Sequence, residues 1–104
     1  MSTSPAETVF CIFRVKEGME GELLKLCRQH DETLRRLDLC SDTPARVFRG
    51  GDGHGGNFVV KIFEWKSPEA LAAARSHPDV QILWEAMEPC CERMEFPHLE
   101  PVSL

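Results

Sequence analysis

Asn57–Trp65 reads NFVVKIFEW, and the way this stretch lies decides the fold. Its β-branched and aromatic residues suit an extended strand. Side chains alternate across a strand, so Phe58, Val60 and Ile62 share one face with Glu64, while Val59, Phe63 and Trp65 share the other with Lys61. Both faces are largely apolar. Thr8–Val15, TVFCIFRV, repeats the pattern: Val9, Cys11, Phe13 and Val15 point one way, Phe10 and Ile12 the other, with Arg14 at the end. Strands that are apolar on both faces need cover on both.

Working outward, Met19 to about Asp38 predicts a helix: Leu23, Cys27, His30, Leu34 and Leu37 recur at spacings of three and four, and Leu24 and Leu26 widen the stripe. Ala45–Arg49 reads as a short strand after the turn residues SDTP. The segment RGGDGHGGNF, Arg49 to Phe58, then joins two strands. A phosphate-binding glycine loop runs into a helix whose N-terminus faces the anion. This one runs from strand to strand and reads as a hairpin connection, long enough to carry His54 over a pocket mouth. Beyond the long strand, Ser67 is a good N-cap, Pro68 suits the first helical position, and the helix should stop near Ser76 because Pro78 disfavours helical geometry at His77. A second helix, about Asp79 to Cys91, and a final strand around Arg93 to Phe96 complete the order.

Strand, helix, strand, strand, broken helix, strand is the split βαβ pattern of the ferredoxin-like α+β fold. Residues 1–7 read as a disordered lead and 8–104 as a single domain with an extended C-terminal tail. With 104 residues, the chain has helices enough for one side of its sheet only. A homodimer with the two sheets face to face supplies the missing cover.

The formal charge of −5 argues against nucleic acid or an anionic membrane as the main partner. No apolar run approaches the ~20 residues that span a bilayer, and MSTSPAET lacks the charged start and apolar stretch of a signal peptide. The five cysteines, Cys11, Cys27, Cys40, Cys90 and Cys91, form an odd set without a C-x-x-C pair. They read as reduced thiols of a cytoplasmic protein, serving mainly as small hydrophobes.

VFCIFRVKEGMEGELLKL and FVVKIFEWKSPEALAAARSHPDVQILWEAM together resemble the dimeric α/β-barrel superfamily, in particular the antibiotic biosynthesis monooxygenase-like domains. In both, a strand leads into an amphipathic helix, the second through Ser-Pro-Glu-Ala and a helix broken at Ser-His. The resemblance covers about Val9 to Phe96. It implies a homodimeric barrel with a small-molecule pocket in each subunit, between sheet and helices. It also implies an oxygenase that acts on an aromatic or polyketide-like substrate without metal or flavin. The haem-degrading branch places an asparagine on the first strand, where this chain has Cys11, Ile12 and Phe13. Haem binding or degradation is therefore the least supported reading, and no cofactor is expected.

Five residues stand out as candidates. His77, at the helix break, fits either a base that deprotonates a phenol or a cap on the helix end. Trp65 and Trp84 suit the walls of an aromatic pocket and equally a core or dimer interface. His30, on an apolar helix stripe, fits a hydrogen-bonded histidine at the core edge or a pocket residue. Arg14, with Glu64, fits an ion pair or a ligand contact. His30, His54, His77 and His98 have no metal-ligand spacing, so no metal is expected. Two functions follow: a cofactor-independent oxygenase, or a non-catalytic dimeric module of the same fold that binds a small ligand.

Overall fold

The structure is a computed structural model and describes residues 7–51, 53, 54, 56–97, 99 and 102–104. The lead expected over 1–7 lies outside these residues except for Glu7, which opens the first strand. The elements are β1 (Glu7–Val15), α1 (Glu20–Arg36), β2 (Arg46–Gly51), β3 (Asn57–Trp65), α2 (Pro68–Ser76), α3 (Pro78–Met87), a 3-10 turn (Glu88–Cys90) and β4 (Cys91–Glu95). One four-stranded antiparallel sheet in the order β2-β3-β1-β4 carries them. That is the ferredoxin-like α+β arrangement.

The alternation in β1 and β3 decides which face is buried. Cys11, Phe13, Val15, Val59, Lys61, Phe63 and Trp65 are buried, whereas Phe10, Ile12, Phe58, Val60, Ile62 and Glu64 are only half-buried. The helices pack on the first face. From α1, Leu23, Leu26, Cys27 and Leu34 enter the core, joined by Ala70 and Ala74 of α2 and by Val80 and Met87 of α3. The molecule is 19 Å across its thinnest dimension, about one sheet layer and one helix layer.

Local chemistry sets the element ends. Ser67 Oγ accepts from the Ala70 N–H at 3.3 Å, and Pro68 occupies the first turn of α2. His77 is extended (φ −88°, ψ 122°), as a residue before proline prefers, so α2 and α3 are separate helices. α3 ends at Met87 and gives way to the 3-10 turn, earlier than the helix expected to reach Cys91, because Pro89 has no N–H to extend an α-helical ladder. β4 accordingly starts at Cys91 rather than near Arg93. The glycine segment closes the β2–β3 hairpin, with Gly51 opposite Asn57 and Gly50 opposite Phe58. A Cβ on Gly50 would sit 2.7 Å from the Phe58 ring, so only glycine lets that ring lie across the strand pair.

All five cysteines are free thiols. Burial pushes the Cys11 thiol up to about 12 and that of Cys91 to about 11.

Candidate functional site

Between the sheet and the helices lies a cavity of about 290 Å³. Val9 and Cys11 of β1 with Phe63 and Trp65 of β3 make its floor. His30 of α1, Leu71 and Arg75 of α2, and Trp84 of α3 line it further, and Glu7, Thr8, Phe96 and Pro97 complete it. The walls are aromatic and interlocked. Phe63 meets Trp65 edge-on at 4.9 Å between ring centroids, and the His30 ring meets Phe63 edge-on at 5.8 Å.

Two of the lining residues, Trp84 and His30, begin a chain of three side chains that runs on to Lys61, which is not itself part of the lining. Trp84 Nε1–H donates to His30 Nε2 at 3.0 Å. His30 Nδ1 lies 2.8 Å from Lys61 Nζ, and Lys61 Nζ donates to the Cys27 carbonyl oxygen at 3.2 Å. His30 is 3% exposed and Lys61 1%. Both reach this position for the same reason. His30 sits on the apolar stripe of α1 and Lys61 on the helix-covered face of β3, so packing α1 over β3 brings together two groups that neither element could satisfy alone.

Burial dominates their electrostatics. Desolvation is the larger cause that holds the His30 imidazole down to about 3, and a proton on Lys61 adds to it. Desolvation also lowers Lys61, against attraction from Cys27, Asp31, Cys11 and Cys40. Asp31 is engaged elsewhere, accepting from Arg35 Nε at 3.2 Å.

The candidates from sequence thus divide. His30, Trp65 and Trp84 meet in the cavity. Arg14 lies on the other face of the sheet, its guanidinium 5.2 Å from the Phe58 ring centroid and its Nε 3.6 Å from Glu95 Oε1. That spacing is an ion pair too long for a hydrogen bond, and it leaves the buried Nε without a hydrogen-bond partner. Glu64 does not pair with Arg14; its Oε1 accepts from Ser41 Oγ at 3.0 Å. His77 is outside the cavity lining, and its Nδ1 accepts the Asp79 N–H at 3.1 Å as the N-cap of α3. His54 is exposed in the hairpin and also outside the lining, and His98 lies outside the described residues. Among the described residues no cluster of His, Cys, Asp and Glu could hold a metal ion, and no helix is long and apolar enough to cross a membrane. Lys61 is the residue the candidate set lacks. Its signal was a lysine on the face of β3 shared with Val59, Phe63 and Trp65, where a charge needs a partner.

No protein-family model matches the sequence, and no curated protein is significantly similar to it. Solved structures are similar over almost the whole chain. SnoaB, a cofactor-independent oxygenase from Streptomyces nogalater, superposes with a TM-score of 0.76 at 16% identity, covering 95% of each chain. Rv0793 from Mycobacterium tuberculosis gives 0.75 at 18%, covering 96% of this chain and 98% of its own. An antibiotic biosynthesis monooxygenase gives 0.69 at 21%, covering 92% and 98%. At such identities the likeness establishes the fold, and the chain has the fold of the antibiotic biosynthesis monooxygenase-like proteins.

Proposed function

We propose that this chain is a cofactor-independent oxygenase of the antibiotic biosynthesis monooxygenase-like kind, a homodimer that takes an aromatic or polyketide-like small molecule into each subunit's cavity. The observation that carries this reading is the cavity itself, aromatic on several sides with one buried polar chain at its end. Its volume is at the lower end of ligand sites, roughly 300–1,000 Å³, which suits a compound of one to three rings. The fold shared with SnoaB supports the reaction class. In such a reaction the ligand, once deprotonated, supplies the electrons that dioxygen accepts, and the protein binds, orients and deprotonates it.

Within the site, Trp65, Phe63 and Trp84 would hold the ring system by stacking and edge contacts. His30 and Trp84 supply the hydrogen-bonding end, and Arg75 a positive group on the opposite helix. Dimerisation rests on the half-buried apolar face of Phe10, Ile12, Phe58, Val60 and Ile62, flanked by exposed Phe48, which pairs with Val60 on that face.

Oxygen uptake with a panel of phenolic and hydroxyquinone compounds tests the reaction. Uptake that depends on the compound and falls at least about tenfold in Trp84→Phe supports it, a loss of about 1.4 kcal/mol in barrier terms. No uptake with compounds that quench Trp65 and Trp84 fluorescence on binding would favour the second reading, a non-catalytic ligand-binding dimer. One observation speaks for that alternative: both ring nitrogens of His30 already have hydrogen-bond partners within the protein.

A further inference from the structure

The direction of each hydrogen bond in the Trp84–His30–Lys61 chain is fixed by its first member. An indole N–H can only donate. His30 Nε2, 3.0 Å from it, must therefore present a lone pair. A neutral imidazole carries one N–H and one lone pair, so the ring proton sits on Nδ1. The atom 2.8 Å from Nδ1 is Lys61 Nζ, which must then accept. Only the uncharged amine has a lone pair with which to do so, and it keeps two N–H bonds, one of which serves the Cys27 carbonyl. An ammonium at Lys61 would force the ring proton onto Nε2, against the Trp84 N–H.

The surroundings agree. Lys61 is 1% exposed. Among the described residues no carboxylate lies within ion-pair distance of it. The groups facing it are the thiols of Cys11, its cross-strand partner on β1, of Cys27 on α1 and of Cys40, with Asp31 held by Arg35.

We propose that Lys61 rests as the uncharged amine and is the proton acceptor of the cavity, with His30 relaying to it the proton of a weakly acidic ligand, a phenol or an enol. The ligand O–H takes the place of the Trp84 N–H at Nε2. Its O–H bond breaks as an N–H bond forms at Nε2. The Nδ1–H bond breaks as a third N–H bond forms on Lys61. The products are a ligand oxyanion, an ammonium at Lys61 and a neutral imidazole in its other tautomer. No electron moves. The displaced Trp84 N–H is left to donate to the oxyanion, and Arg75, which makes no ion pair among the described residues, faces the same cavity. The inference rests on the cavity being a ligand site; it adds the ligand's acidic class and the base.

Two measurements on the full chain test it. Nitrogen-15 NMR of the ligand-free protein at neutral pH should show His30 protonated at Nδ1 and Lys61 as an amine. With 4-nitrophenol below its solution pKa, the visible phenolate band should report an ionisation constant at least about tenfold that in buffer, and Lys61→Met should abolish that gain. Three results overturn the proposal: an Nε2-protonated His30 beside an ammonium at rest, no gain in the band with the wild-type chain, or a gain that survives Lys61→Met. The NMR arm needs no variant, so a Lys61→Met chain that fails to fold leaves the test intact. If the phenol ionises as described and no compound drives oxygen uptake, the relay stands and the oxygenase reading falls.

Discussion

Between pH 6.5 and about 3, native His30 refuses a proton that the unfolded chain accepts. Its folded value lies below its unfolded one, so stability falls as the pH drops through this window. The slope contributed is about 1.4 kcal/mol per pH unit, and it ends near pH 3, where the native ring also protonates. Lys61, also lowered, contributes a loss of the same sign from its ordinary 10.5 downward, so urea unfolding at a series of pH values should show an added steepening below 6.5, and His30→Phe should remove that added part. At neutral pH the same variant should be less stable by about 1–3 kcal/mol, because the Trp84 N–H and the Lys61 amine lose their partner. Much of this was within reach of the sequence. His30 stands on the apolar stripe of α1, and strand alternation puts Lys61 beside Phe63 and Trp65. Their meeting was not within reach, since residues 31 positions apart touch only through the packing of α1 on β3. Trp84 comes from 54 positions away.

Element ends were the most legible feature, because caps are local. Ser67-Pro68 starts α2, and the proline at 78 stops it, within the segment expected. The role of His77 was harder to choose, since an imidazole at a helix break suits both chemistry and capping. The geometry uses it as the cap of α3. His77→Ala should cost about 1 kcal/mol in thermal or urea unfolding, and His77→Asn, which can still accept from the Asp79 N–H, should recover most of that loss. A variant pair that loses equally would show that the cap is immaterial. The C-terminal end of α3 misled for a related reason: the apolar side runs on past Met87, but Pro89 imposes a different turn.

At the scale of the whole molecule, a slab 19 Å thick has its helices on one side and a half-buried apolar sheet face on the other. The pattern in NFVVKIFEW carried that far, because only two covers satisfy a strand apolar on both sides. If a second copy is the other cover, burying on the order of 1,200 Å² or more in total, light scattering at micromolar concentration should give twice the 11.8 kDa chain mass. Ile12→Glu, at the middle of that face, should yield a monomer. A wild-type monomer at that concentration would remove the dimer from the reading. The buried polar chain bears on the slab in another way. Apolar side chains tolerate sliding, so α1 held to the core by Leu23, Leu26 and Leu34 alone could settle in several neighbouring alignments. A histidine that must meet a lysine on one edge and an indole on the other has only one such alignment. The three residues thus act as a peg that indexes α1 against both β3 and α3, and with them the dimensions of the cavity.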